Sequence, residues 1–242
     1  MRILNLGCGT KVSSSPDVLN VDWSIYLRLK KSRVLRAMTP LFVRGDRLDY
    51  FHALPANIMV HNLAQPLPIA GNSVDVVYHS HLLEHLDRDT AKTLLLEVKR
   101  VLRPGGIQRI VVPDMERACS AYISHISISD DNAAEADQHD SYIAAIIEQS
   151  VRKEAYGTSQ QRSLRRVLEN VLLGDARRRG ETHQWMYDRI NLSALLTSLG
   201  YRSPQVQSYD RSLIPNWHEY RLDLNEHGKE YKPASLYMEV AK

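Results

Sequence analysis

The sequence predicts an α/β fold with a mostly parallel sheet and helices on both of its faces. Short apolar segments alternate along the chain with segments of helical periodicity. Most of the short segments are apolar throughout and do not alternate with polar residues, which is typical of strands buried on both sides of a parallel sheet. The first of these segments runs into the glycine loop Gly7-Cys8-Gly9, a common ending for such a strand.

Seven strands are predicted from the apolar segments and the turn residues that bound them. The first five lie at residues 3–6, 17–22, 58–61, 74–78 and 107–112, and the closing two at 205–209 and 235–240. A helix is predicted from about Thr90 to Leu102, where leucine and valine recur every three or four residues. Asp87 or Asp89 is positioned to cap its start, and Pro104 follows its end. A later helix over 192–199 ends at Gly200.

Residues 115–182 interrupt this alternation. They carry helical stripes of apolar residues at 141–156 and 164–172, with no strand between them. We therefore expect one domain over residues 1–242, with a helical insertion at about 115–182 after the fifth strand. A length of 242 residues permits one large domain or two small ones, and the single alternating pattern favours one.

The composition excludes several classes of protein. The chain has 31 Lys and Arg against 28 Asp and Glu, a net charge of +3 that does not indicate a nucleic-acid binder. Two cysteines, Cys8 and Cys119, exclude a disulfide scaffold and favour a reducing compartment. No apolar stretch approaches the roughly 20 residues of a membrane helix. Because the first strand begins at Ile3, we expect no targeting segment and a cytoplasmic location.

The small net charge conceals local polarity. Residues 24–57 carry seven Arg or Lys against two Asp, whereas 113–148 carry eight acidic residues against Arg117. Residues 25–43 have the pattern of a basic amphipathic helix, which would lie on an anionic membrane, cover a phosphorylated substrate or expose an ordinary solvated face.

The Gly7-Cys8-Gly9 loop and Asp22 together predict a nucleoside-containing ligand. Glycines let the backbone approach a ligand closely, and a carboxylate at the end of the second strand of such a sheet binds ribose hydroxyls. The third glycine of a dinucleotide fingerprint is absent, since Val12 stands there, and no Gly-Lys-Ser/Thr phosphate loop occurs. A cofactor with a ribose and no pyrophosphate fits better.

Four segments carry a resemblance to a known family. They read LNLGCG at 4–9, NVD at 20–22, SVDVVYHSHLLEH at 73–85 and VLRPGG at 101–106. In this order they resemble the successive motifs of class I S-adenosylmethionine-dependent methyltransferases, which have a Rossmann-like fold. NVD close behind the glycine loop and SLYME at 235–239 are similar to a compact subgroup of predicted methyltransferases associated with surface-polysaccharide or sugar modification.

The resemblance implies an enzyme that uses S-adenosyl-L-methionine, with no metal ion expected. Gly7 and Gly9 would line its methionine part, Asp22 would hold the ribose and Asn62 would contact the adenine. The expected cofactor-binding residues are Leu6, Gly7, Cys8, Gly9, Asp22, Trp23, Asn62, Leu63, His79 and Ser80. Two residues depart from the family pattern: Asn5 replaces a frequent acidic residue and Thr10 a frequent third glycine.

The expected reaction is methyl transfer to a small-molecule or carbohydrate acceptor, by preference O-methylation. A hydroxyl acceptor needs a base within hydrogen-bond reach. His81 and Asp114 are the favoured candidates because both follow strand ends, with His183 reaching in from the second half of the chain.

Three alternatives stay open. The basic segments would suit a nucleic-acid methyltransferase, although the resemblance favours a smaller acceptor, and a non-catalytic protein that binds the cofactor or a partner would share the same motifs. The stretch His81-Leu82-Leu83-Glu84-His85 also matches the signature of inverted zinc peptidases, in which both histidines bind zinc from one helical face. The stretch directly follows a strand and lies between two nucleoside-site motifs, which argues against that interpretation.

Overall fold

The computed structural model describes residues 1–23, 25–31, 36–37, 39, 45, 48, 51–52, 58–129, 136–149 and 182–242. The strands are β1 Ile3–Leu6, β2 Val18–Asp22, β3 Met59–Val60, β4 Val74–Ser80, β5 Leu102–Pro113, β6 Arg202–Gln207 and β7 Ser235–Ala241. The α-helices are α1 Ile25–Lys31, α2 Arg88–Val101, α3 Met115–Ser129, α4 Ala136–Gln149 and α5 Arg189–Ser198. Two 3₁₀ helices cover Leu83–His85 and Trp217–Tyr220.

The strands form one seven-stranded sheet in the order β3-β2-β1-β4-β5-β7-β6. Strands β1 to β5 are parallel, and β7 is antiparallel to both β5 and β6. The predicted mostly parallel sheet is confirmed. The chain proceeds outward from β1 to β3 and then returns to add β4 on the other side of β1. In such sheets ligands bind beyond the carboxyl ends of the strands at this reversal.

Helices α2 and α5 cover one face of the sheet. In α2, Leu94, Leu95 and Val98 are buried at the predicted helical spacing and pack in the main core. Asp87 caps the helix, accepting hydrogen bonds from the backbone nitrogens of Asp89 and Thr90. The helix ends at Val101. Pro104 follows closely, and a proline disfavours helical geometry in the residue that precedes it. In α5, Asp188 and Asn191 form a capping box.

The opposite face of the sheet is covered near its centre by the segment that precedes β7. Trp217 and Leu222 of this segment pack against Tyr78 of β4 and Tyr237 of β7. Arg109 of β5 lies among them with no exposed surface. This face therefore combines apolar packing with a buried charged group.

The insertion is helical where it is described. Helices α3 and α4 pack on each other, and α4 begins at Ala136, five residues before the predicted stripe. The stripe predicted at 164–172 and most of the basic segment 25–43 lie outside the described residues, apart from α1 and a few single positions. No helix in the described part of the chain is long and apolar enough to span a membrane.

Candidate active site

The glycine loop joins the ends of β1 and β2. Gly7 and Gly9 have φ angles of 64° and 52°, in the left-handed region that costs glycine little. The backbone nitrogen of Gly9 donates a hydrogen bond of 2.7 Å to Oδ2 of Asp22. The predicted loop and the predicted carboxylate are thus in direct contact at the carboxyl edge of the sheet.

Two buried amides lie beneath the loop. Nδ2 of Asn5 donates to Oδ1 of Asn20 and to the backbone oxygen of Lys11, each at 2.9 Å. Nδ2 of Asn20 in turn donates to the backbone oxygen of Ser13 at 3.0 Å. Both side chains are about 1% exposed. The asparagine that departs from the family pattern therefore fastens the loop to both strands.

The end of β3 reaches the same edge. The backbone nitrogen of His61 donates to the backbone oxygen of Asp22 at 3.0 Å, which brings Asn62 beside the end of β2. Oδ1 of Asn62 accepts a hydrogen bond from the backbone nitrogen of Ala64. Trp23, next to Asp22, is 43% exposed, whereas Leu63 packs in the main core.

The end of β4 supplies a second group of polar residues. His81, directly after the strand, has a φ of 50° and shares a hydrogen bond of 2.8 Å between its Nε2 and Oγ of Ser235. Its Nδ1 lies 3.4 Å from Oε1 of Glu84. The Glu84 side chain is only 2% exposed. His81 therefore contacts the start of β7, which lies two strands away from β4 in the sheet.

His183 reaches this group from the far side of the insertion. The backbone nitrogens of Gln184 and Trp185 both donate to the backbone oxygen of Glu84, at 2.6 and 3.3 Å. The rings of His183 and His85 meet edge to face with centroids 4.8 Å apart. The prediction that His183 approaches the first half of the chain agrees with this arrangement.

Asp114 lies at the other side of the same edge. Its backbone nitrogen donates to the backbone oxygen of Ala234, next to Ser235, the partner of His81. Its Oδ1 accepts a long hydrogen bond from the backbone nitrogen of Arg117, and its backbone oxygen accepts from Ala118, as at the start of a helix. Asp114 therefore already has a role as the N-cap of α3.

Residues 4–110 match the family described as "Methyltransferase domain". This range contains the glycine loop, Asp22, His81 and Glu84. The chain is accordingly an enzyme, and its methyl donor is S-adenosylmethionine.

Solved structures similar to the methyltransferase include three SAM-dependent methyltransferases. Those from Archaeoglobus fulgidus, Mesorhizobium loti and Methanosarcina mazei are 14%, 14% and 15% identical, with TM-scores of 0.43, 0.42 and 0.44. Each similarity covers 100% of this chain and 86%, 90% and 92% of the other, respectively. With TM-scores below 0.5, these similarities carry no argument about fold or activity. No curated protein is significantly similar in sequence.

Burial strongly affects the acid–base properties of the methyltransferase site. Desolvation raises the pKa of Glu84 to about 8, the reverse of the shift that an ion pair would produce. Desolvation also lowers the pKa of His81 to about 3 and that of His85 to about 4, and nearby basic groups add to both shifts. The pKa of Asp114 is raised, mainly by desolvation. Glu84, His81 and His85 are therefore mostly uncharged near neutral pH.

Cys8 and His79, two of the expected cofactor residues, are buried. Burial and the nearby Asp22 raise the pKa of the Cys8 thiol to about 12, so it stays protonated at neutral pH. His79 is fully buried within β4, where its Nε2 accepts a hydrogen bond from Nε2 of Gln108 at 2.9 Å. Ser80, the last residue of β4, is half-buried. The cofactor roles of all three remain predictions.

His79 should make the methyltransferase sensitive to acid. Burial lowers the pKa of His79 to about 4 from an ordinary value of 6.5. Between these values the unfolded chain binds a proton that the folded chain excludes, so stability falls as the pH falls through this window. One such group contributes about 1.4 kcal/mol per pH unit. Urea unfolding at pH 7 and pH 5 measures the effect.

A pair of glutamine substitutions isolates the contribution of His79. The variant His79→Gln should lose less unfolding free energy than the wild type between pH 7 and pH 5. The variant His218→Gln, at an exposed histidine, should behave like the wild type. Equal pH dependence in His79→Gln and the wild type would contradict the assignment.

Glu84, His85 and Ser235 belong to this edge but were not among the expected site residues. For Glu84 and His85 a sequence signal exists, since both stand in the segment that follows β4. Ser235 gives no such signal, because it is an ordinary first residue of a strand. It reaches His81 only because β7 pairs antiparallel with β5, next to β4.

Proposed function

We propose that this methyltransferase transfers a methyl group from S-adenosylmethionine to an oxygen of a small-molecule or sugar acceptor. We also propose that residues 1–242 form one domain, with a helical insertion at 115–182. The contact between the Gly9 backbone and the Asp22 carboxylate carries the proposal. It lies at the reversal of strand order, where a nucleoside ligand is expected.

The residues at this edge fit the cofactor. A Cβ at Gly7 would lie 2.9 Å from Cδ1 of Leu82, so a side chain there would require Leu82 to shift. Gly7 and Gly9 have positive φ angles, which glycine adopts at little cost and which let the chain turn tightly after β1. Asp22, half-buried and held by Gly9, would accept the ribose hydroxyls, and Asn62 stands beside it for the adenine. Trp23, 43% exposed, would line the same space, whereas Leu6 has no exposed surface and packs in the main core.

The acceptor would lie at the end of β4, beside His81. S-adenosylmethionine, when bound, supplies an electrophilic methyl group, and the chain supplies orientation and a proton acceptor. Nε2 of His81, now 2.8 Å from Oγ of Ser235, would be the proton acceptor for the hydroxyl; it is neutral near pH 7, although its lowered pKa makes it a weak base. Nδ1 of the same ring lies 3.4 Å from Oε1 of Glu84 without a hydrogen bond between them. Asp114 is the second candidate, but its carboxylate is already engaged at α3.

The sugar or small-molecule class of the acceptor rests on the resemblance of the motifs and not on the geometry. The polar edge formed by His81, Ser235 and Asp114 is compatible with a hydroxylated acceptor, because each of these side chains can donate or accept a hydrogen bond. The basic segment 25–43 and the insertion are the regions from which further acceptor contacts would come.

Titration calorimetry with S-adenosylmethionine and S-adenosylhomocysteine tests the proposal. We expect one site for each ligand, and Asp22→Ala should weaken both affinities at least tenfold, about 1.4 kcal/mol. Asp89→Ala removes an equally small carboxylate that is 96% exposed at the start of α2, and it should leave both affinities unchanged. Absence of heat with either ligand would overturn the proposal.

A further inference from the structure

Three side chains that could bind a metal ion converge behind the end of β4. They are Glu84, His85 and His183, here called the Glu84 cluster. One donor atom from each lies within 4.8 Å of the other two. The cluster borders His81 but does not include it, and the sequence analysis expected no metal there.

The cluster contains buried polar atoms without partners. Neither carboxylate oxygen of Glu84 has a hydrogen-bond partner among the described residues, and neither does Nδ1 of His85. The neighbouring histidines do not supply a hydrogen bond to this carboxylate. Nε2 of His85 is 4.0 Å from Oε1 of Glu84, and Nδ1 of His81, 3.4 Å from the same oxygen, does not form a hydrogen bond with it. Buried carboxylates are normally paired, hydrogen-bonded or bound to a metal.

We propose that the Glu84 cluster binds a divalent transition ion, with Zn²⁺ as the preferred ion. Two imidazoles and one carboxylate form a donor set typical of zinc, whereas magnesium and calcium prefer oxygen donors. A zinc ion with bonds of about 2.0–2.2 Å holds its ligand atoms roughly 3.3 Å apart. The three side chains would therefore move together by about 1 Å, which small side-chain rotations provide.

The backbone around the cluster fixes its residues in place. Glu84 and His85 are consecutive in the 3₁₀ helix Leu83–His85. Gln184, next to His183, donates from its backbone nitrogen to the oxygen of Glu84 and from its Nε2 to the oxygen of His85, at 2.6 and 2.9 Å. The third ligand thus comes from a segment already attached to the other two.

This ligand set differs from that of a zinc peptidase. That pattern requires His81 and His85 on one face of a helix, and the 3₁₀ helix begins only at Leu83, with His81 at a φ of 50° before it. The zinc-peptidase interpretation of this segment is therefore wrong in its geometry. The proposed third ligand is instead His183, far along the chain.

Three protein ligands leave a fourth position for an oxygen ligand, as in catalytic zinc sites. Because the cluster borders His81, that position would face the acceptor, a role that rests on the proposed function. Metal binding itself does not depend on the proposed function.

Metal binding is tested on the full-length protein after treatment with a chelator. Dialysis against ZnCl₂ followed by elemental analysis should give one equivalent per chain, and CoCl₂ should produce the visible absorption of a tetrahedral site. His183→Ala should weaken binding at least tenfold, whereas His218→Ala, at an exposed histidine, should bind like the wild type. Substoichiometric zinc in the wild type, or unchanged binding in His183→Ala, would overturn the proposal.

The variant Glu84→Gln tests the role of the carboxylate, and S-adenosylmethionine as a second ligand tests the cofactor site separately. Glu84→Gln keeps the shape of the buried side chain, so it should fold, lose zinc binding and show no rise in Tm on addition of ZnCl₂. A Tm rise equal to that of the wild type would contradict the role of Glu84. Calorimetry with S-adenosylmethionine on the same metal-free samples distinguishes failure of the metal site from failure of the cofactor site.

Discussion

Replacing Arg109 with methionine is expected to lower the free energy of unfolding by about 3–5 kcal/mol. The guanidinium has no exposed surface and donates to Oδ2 of Asp223 at 2.7 Å and to Oε1 of Glu239 at 2.6 Å. It also donates to the backbone oxygens of Ser208 and Arg211. Arg109→Met removes the only cation found between the two buried carboxylates among the described residues.

The carboxylates left behind cause most of the loss. Asp223 keeps hydrogen bonds from Trp217 and Tyr78, and Glu239 keeps those from the Ser212 hydroxyl and the Leu213 backbone, so both carboxylates stay in their buried positions. Each must stay charged without its cation or be protonated, and both are costly in a buried site. A loss of this size corresponds to a Tm drop of about 10 °C in a chain of this length.

Urea unfolding and a thermal melt at pH 7 measure the effect. Arg103→Met provides the control, because Arg103 pairs with Asp75 at 2.7 Å while its side chain is 60% exposed. Such surface pairs contribute about 0–1 kcal/mol. A loss in Arg109→Met no larger than that in Arg103→Met would contradict the buried-network assignment.

The ion pairs of Arg109 could not be predicted from the sequence. The alternation of strands and helices was predictable because apolar periodicity and glycine positions are local signals. The partners Asp223 and Glu239 lie 114 and 130 residues beyond Arg109. They meet only because β7 inserts antiparallel between β5 and β6, an order that no local pattern states.

The candidate site likewise has one part that the sequence predicts and another that it does not. The glycine loop and Asp22 were predictable, since each ends a strand and parallel strands bring such ends to one edge. The convergence of Glu84 with His183 was not, because 98 residues separate them and the insertion lies between. Ser235 as a partner of His81 likewise depends on strand order. The sequence pattern therefore identifies the expected cofactor-binding part of the site better than the rest of it.

The departure of Asn5 from the family pattern supports a second prediction. An acidic residue is frequent at this position in the family that the motifs resemble, so Asn5→Asp would restore the common pattern. In this chain it should lower the free energy of unfolding by about 3 kcal/mol, because Nδ2 of Asn5 donates to two oxygens, those of Asn20 and Lys11. An aspartate would offer only acceptors to both, in a site about 1% exposed.

The damage should extend to cofactor binding. Asn5 and Asn20 hold the loop over residues 8–13, whose Gly9 is bonded to Asp22. Repulsion beneath this loop would displace Gly9 from Asp22, so the affinity for S-adenosylmethionine should fall together with stability. Urea unfolding and calorimetry measure the two effects on one sample.

A matched control uses the same chemical change at a different asparagine. Asn62→Asp keeps the oxygen that accepts from the Ala64 backbone, and its side chain is only half-buried, so stability should change by less than about 0.5 kcal/mol. A variant Asn5→Asp as stable as Asn62→Asp would show that the loop tolerates a carboxylate there. The two buried amides would then not be what determines asparagine at position 5.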